Sequence, residues 1–199
     1  TDGNSALMLA VKNGDSSNYG NITIVNKLCG DNADINLMNN NSESALWIAI
    51  EKGLVQVVRR LLQSDLNTDV GIYYKDDYTV LMQAAQQGNI QIVKMLLDEY
   101  DKDTIKINTQ IRKDDEKSKW EGEGKTALML ASENWYNQIV KYLINKWADV
   151  NIKDKTGNSM TALMLSASKG HTQVVNYLLD DDKINIDREN QQGFTATML

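Results

Sequence analysis

Gly124-Lys125-Thr126-Ala127-Leu128-Met129-Leu130-Ala131 decides how the chain is read, because its signature returns five more times. It recurs as Ser5-Ala-Leu-Met-Leu-Ala10, Ser44-Ala-Leu-Trp-Ile-Ala49, Thr79-Val-Leu-Met-Gln-Ala84, Thr161-Ala-Leu-Met-Leu-Ser166 and Thr195-Ala-Thr-Met-Leu199. Successive opening residues lie 39, 35, 47, 35 and 34 positions apart. Similarity at such a period marks a repeated supersecondary unit, which changes how every other segment is interpreted. Each copy opens on Ser or Thr, whose hydroxyl can accept from an unpaired N–H of a helix's first turn. An apolar helix is therefore predicted to start directly after it.

A second apolar run follows in each unit: Val57-Val58 with Leu61-Leu62, Ile92-Val93 with Leu96-Leu97, Ile139-Val140 with Leu143-Ile144, and Val174-Val175 with Leu178-Leu179. Their i, i+4 spacing puts each set on one face of a helix. The first unit reaches its own run, Ile24-Val25 with Leu28-Cys29, after an insertion around residues 15–19. Cys29 thus takes the place of a Leu or Ile and is expected as a buried, inert thiol. Several units then close with a turn and a short β-like stretch, as in Asn32-Ala-Asp-Ile-Asn36, Trp147-Ala-Asp-Val-Asn151 and Lys183-Ile-Asn-Ile-Asp187.

The unit resembles the ankyrin repeat, which has a period of about 33 residues and opens its first helix on Thr-Pro-Leu-His. The resemblance covers nearly the whole chain. It implies an all-α repeat solenoid of stacked helix-turn-helix units joined by β-hairpin-like loops. The units would be 1–36, 37–70, 71–108, 109–151 and 152–187, with 188–199 opening a sixth. Neither end resembles the polar capping repeat that a solenoid needs, so a segment of a longer array is expected. This sequence departs from the family by having no proline. Ala or Val in that place costs little, because proline there only pre-sets φ. Met8, Trp47, Met82, Met129 and Met164 stand where the family has His, which should exchange polar order for apolar packing and soften the stack.

Composition narrows function. An apolar content of 42 % is enough for a core, and 21 basic against 27 acidic residues give a net charge of −6. That sign disfavours phosphate backbones and anionic lipid, so no nucleic acid and no membrane insertion are expected. One cysteine and one histidine, Cys29 and His171, leave no set for the usual zinc sites or a Cys–His pair. Gly124-Lys125-Thr126 looks like the end of a phosphate-binding loop, but Lys119 stands where the first Gly belongs. Acidic clusters at 98–103 and 180–182 lack calcium-loop spacing. No catalytic, cofactor or metal residue is assigned, and His171, after Gly170, is expected to make a local turn hydrogen bond. The lack of a signal peptide or membrane span, with the lone cysteine, points to a cytoplasmic location.

The resemblance also implies where partners lie, on a concave surface of hairpin tips and first helices. The residue before each cap would point there: Asn4, Glu43, Tyr78, Lys125, Met160 and Phe194. The exposed ends of the first helices add Glu51-Lys52, Gln86, Gln87, Glu133, Asn134 and Ser168-Lys169. Aromatic side chains contribute most to interfaces, which singles out Tyr73, Tyr74 and Tyr78, either as contacts or as packing for their hairpin. Trp135 and Trp147 occupy turn positions where glycine is normal and are read as contacts or local lids. Trp120 follows the charged stretch 113–119, in a solvated loop or an extra contact. The leading function is a non-catalytic scaffold for a protein partner or another domain of the same chain. The alternative is a spacer or regulatory arm of a larger enzyme or channel.

Overall fold

Five Ser or Thr residues do cap helices as their sequence positions require. The computed structural model describes residues 2–14, 19–31, 33–63, 66–111 and 124–199. Its helices are α1 (Ala6–Lys12), α2 (Tyr19–Gly30), α3 (Ala45–Glu51), α4 (Val55–Leu61), α5 (Val80–Gln86), α6 (Ile90–Glu99), α7 (Lys102–Ile105), α8 (Ala127–Glu133), α9 (Asn137–Asn145), α10 (Ala162–Ser168) and α11 (Thr172–Leu179). Ser5, Ser44, Thr79, Thr126 and Thr161 sit in extended backbone, each accepting from the amide three residues on. In three units the bond is returned: Met82, Met129 and Met164 Sδ accept from the N–H of Thr79, Thr126 and Thr161 at 3.4, 3.4 and 3.5 Å. Methionine therefore keeps, through a weak sulfur acceptor, the reciprocal half of a capping box. The expected loss of polar order does not apply to those three helices.

The helices divide between two bodies, Thr1–Ile105 and Lys106–Leu199. In the first body α1, α3 and α5 each pack on the second helix of their own unit, α2, α4 and α6, and neighbouring pairs pack on one another. In the second body α8 with α9 and α10 with α11 repeat the arrangement. Each body is thus an all-α repeat stack. The cores are the apolar runs: Ala45 to Ile50 is buried throughout, as are Val57, Val58, Leu61 and Leu62, and Ile92, Val93, Leu96 and Leu97. Each such Leu or Ile contributes about 1.5–3 kcal/mol. Cys29 is buried, as expected. Ile24 and Leu179 depart from the pattern, being 50 % and 46 % exposed. Among the described residues, Ile24 begins the run of α2, which packs on the second helix α4, and Leu179 ends that of α11, which packs on α9.

Hairpins close the units with one repeated bond. The N–H of Asn39, Tyr74, Ile111, Asp154 and Asn190 donates to the carbonyl of Glu43, Tyr78, Lys125, Met160 and Phe194, at 2.8–3.1 Å. The β-like stretches do not become strands among the described residues, where the one isolated bridge is Lys153 with Thr161. Side chains take over the pairing instead. Asp34, Asp149 and Asn185 Oδ1 each accept from the amide two residues on, an Asx turn that substitutes for a ladder. Asparagines then tie unit to unit: Asn36 bonds Asn67 O and Asp69 N, and Asn151 bonds Lys183 O and Asn185 N. Thr195 leads into a single 3-10 turn, Ala196–Met198, where a sixth unit was expected to open.

Candidate functional site

In the first body the 74–78 hairpin sets which tyrosines meet solvent. Tyr74 occupies the closing position, the place of Asn39 and Asn190 in other units, and points inward. It is buried, its ring stacks on Trp47 with centroids 5.6 Å apart at 21°, and its hydroxyl donates to Asp69 O at 2.6 Å. Burial first, then the charges of Asp69 and Tyr100, outweigh the Ser44 hydrogen bond and push the hydroxyl up to about 12. Of the two readings of Tyr74, contact or packing, its burial agrees with packing: the ring fills the space beside Trp47, which stands in the place of the family's smaller His. Tyr73 and Tyr78 are half-buried, and Gln86 and Gln87 are exposed.

Glu43 is also turned in, contrary to its expected surface position. Its carboxylate accepts from Asn39 Nδ2 at 2.8 Å and lies 3.4 Å from Lys75 Nζ. Burial alone would raise the carboxyl, but the hydrogen bonds of Asn39 and Lys75 and the charges of Lys75 and Lys12 hold it below the usual range.

The second body carries a matching clasp. Lys125, expected to point outward, is buried, and its ammonium lies 2.5 Å from Glu133 Oε2 while Lys169 Nζ lies 3.2 Å from Oε1. Here too burial raises the Glu133 carboxyl, and Lys125 and then Lys169 more than compensate, so it stays below the usual range. These contacts correct the outward Lys125. A charge next to the hairpin's closing bond is stable only with a counter-ion, and Glu133 at the end of α8 supplies it. Thr126 Oγ1 in the Gly124-Lys125-Thr126 stretch is used as a helix cap.

His171 makes no merely local bond. Its Nε2 lies 3.0 Å from Glu133 O, so that nitrogen carries a hydrogen and donates to the preceding unit. Its ring stacks on Trp135, with centroids 5.7 Å apart at 3°. Trp135 is still 60 % exposed and Trp147 69 %. Both hold left-handed backbone, φ 62° and 65°; Trp135 stands in the turn between first and second helix where Gly53, Gly88 and Gly170 hold 67–76° in other units, and Trp147 in the turn after α9. Asn134 is exposed with its amide on Leu130 O. Trp120 lies outside the described residues.

Residues that sequence reasoning missed flank these tryptophans. On α9 and α11, Asn137 Nδ2 donates to Gln173 Oε1 at 2.6 Å, Lys141 Nζ lies 5.3 Å from the Tyr177 ring centroid, and Lys146 Nζ lies 5.7 Å from that of Tyr142. No group of three or more His, Cys, Asp or Glu among the described residues could hold a metal ion. None of the described helices is long and apolar enough to cross a membrane.

Comparison with known proteins places these features in context. The family described as ankyrin repeats (3 copies) matches residues 7–111 and 128–199. Ankyrin repeat and SAM domain-containing protein 6 of Rattus norvegicus is 31% identical over 112 residues, 56% of this chain and 11% of that protein. Ankyrin repeat and KH domain-containing protein mask of Drosophila melanogaster is 31% identical over 120 residues, 60% of this chain and 3% of that protein. The chain thus spans 11% or less of these curated relatives. The crystal structure of EF0377, an ankyrin repeat protein, has a TM-score of 0.75 at 29% identity, covering 92% of this chain and 83% of that one.

Proposed function

Because the chain belongs to the ankyrin-repeat family, whose repeats are generally protein-interaction modules, we propose that it is a non-catalytic scaffold binding a protein partner on its helix and hairpin surface. One observation carries the proposal most directly. Trp135 and Trp147 are exposed at left-handed positions where glycine would be unstrained, and a bulky residue there costs of order 1 kcal/mol or more. Stacking on His171 offsets part of that cost for Trp135. Among the described residues no ring stacks on Trp147, so an indole in that place is explained by what docks on it. Rigid stacking of the helices lowers the entropy lost on docking.

The net charge of −6 gives the chain no general attraction for nucleic acid, and the single buried thiol suits a cytoplasmic location. A second reading is favoured by the relatives, whose printed names combine ankyrin repeats with SAM or KH domains: the array would serve as a spacer or regulatory arm within a larger protein. Capture from native extract with the wild type and with Trp135→Gly/Trp147→Gly, matched for helicity, separates the two. Partners lost only in the variant support the scaffold. No partner for either form turns the reading to the intramolecular arm.

A further inference from the structure

We infer that Asn13 is a site of spontaneous covalent modification, losing its side-chain amide as ammonia, and that the end of α1 with Lys52 forms a latch that holds the reaction back.

The position stands out first in the sequence. A glycine precedes the second helix as Gly14, Gly53, Gly88 and Gly170, and the residues before it are Asn13, Lys52, Gln87 and Lys169. Asn13-Gly14 is the chain's one Asn-Gly pair. Asparagine is thermolabile because the backbone nitrogen of the next residue can attack its Cγ, and glycine has no side chain to obstruct that approach. Asn4, Asn41 and Asn158 are each followed by serine, whose hydroxymethyl group stands in the way. Two of those amides are also engaged, Asn4 Oδ1 accepting from Asn39 and Asn158 Oδ1 from Gln192.

The step closes a cyclic imide. Gly14 N bonds Asn13 Cγ, its proton passes through solvent to Nδ2, and Nδ2 leaves as ammonia. Water then opens the imide at either carbonyl, leaving an aspartate or an isoaspartate at position 13.

The fold opposes the first of these events. Asn13 is exposed and Gly14 buried. Asn13 N–H donates to Leu9 O and Gly14 N–H to Val11 O, both at 3.0 Å, and Lys52 Nζ donates to Gly14 O at 3.2 Å. Asn13 has ψ 0°, which turns Gly14 N toward the nitrogen of Asn13 and away from its Cβ. Ring closure needs Gly14 N to eclipse Cβ, so the turn must rotate and Gly14 N–H must leave Val11 O. The rate is therefore set by the population of the opened turn. Lys52 is an exposed residue at the end of α3, so the latch ties the first unit to the second. Reaction weakens that tie in turn. A carboxylate at the C-terminus of α1 opposes the helix dipole, and an isoaspartate lengthens the backbone between the two bonded amides.

The test is to hold the full chain at one pH and temperature, in buffer and in urea, and follow amide-to-acid conversion at each asparagine by peptide mass mapping. In urea, Asn13 should convert first, at the same rate in wild type and Lys52→Ala. In buffer, wild type should convert at Asn13 about tenfold or more slowly than in urea. Lys52→Ala, with equal helicity, should be severalfold faster there than wild type, and Lys52→Arg, which keeps a donor, should return to the wild-type rate. Conversion of Asn41 or any other asparagine ahead of Asn13 in urea would overturn the site. Equal rates for wild type in buffer and urea, or no acceleration in Lys52→Ala, would overturn the latch.

Discussion

Trp147 and Gly170 hold nearly the same backbone, φ 65° and 71°, yet one carries the largest side chain and the other none. Trp147→Gly relieves left-handed strain at an exposed site, and should stabilise the second body by about 1 kcal/mol, measured by urea unfolding. A loss of stability would mean that the indole packs. Glycines divide by what a Cβ would meet. At Gly170 nothing lies within 4 Å, whereas at Gly124, φ 74°, the new atom would run into the backbone of Lys155. Gly170→Ala should therefore cost only the φ penalty, about 1 kcal/mol, and Gly124→Ala about 2 kcal/mol or more. Trp135 was legible because Gly53, Gly88 and Gly170 hold the matching turn of other repeats, and Trp147 because the family resemblance puts glycine at its turn. The inward Tyr74 was also recoverable in principle, since it precedes Tyr78 by four as Asn39 precedes Glu43.

Between elements, the caps and the Glu133 clasp are the joints to test. Thr126→Ala and Thr161→Ala should each cost about 1 kcal/mol, and Met129→Leu a few tenths, by removing a weak acceptor while keeping apolar volume. Glu133 ties α8 to the hairpin through Lys125 and to α10 through Lys169 and His171. Its carboxyl is depressed in the folded state from the ordinary 4.5. A depressed carboxyl contributes stability that is present above the unfolded value and lost as pH falls through the folded one. Glu133→Gln should thus be less stable than wild type at pH 7, and the two should converge as pH falls below the ordinary 4.5 and through the depressed folded-state value in denaturant titrations. A gap that stayed constant with pH would assign the effect to geometry rather than charge. The helices themselves were legible from Ser/Thr caps and i, i+4 spacing. The pairs between them were not, although Glu133–Lys169, Trp135–His171, Asn137–Gln173 and Lys141–Tyr177 all lie 36 residues apart. That separation is one 35-residue repeat plus one position, because a helix lies against its neighbour slightly out of register. Aligning repeats at zero offset cannot show it.

At the scale of the molecule, each repeat is bonded chiefly to its neighbours, so damage should stay local. Leu81→Ala in the core of α5 should cost about 2–5 kcal/mol. Hydrogen exchange should speed up in α3 to α6 far more than in α10 and α11; uniform loss of protection would contradict a nearest-neighbour stack. One array was the expectation from sequence; the contacts group its repeats into Thr1–Ile105 and Lys106–Leu199, a grouping that no change in the motif announces. The hairpins carry a different consequence. The bond that closes them is the same whether it spans residues 39–43, 154–160 or 111–125, so the stack does not register how much chain is enclosed. Closure entropy grows only as the logarithm of length, and tripling a tip from five residues to fifteen costs about 1 kcal/mol. Such tips are natural grafting points: a foreign epitope or sensor peptide of a dozen residues placed there should leave the helices unfolding as before.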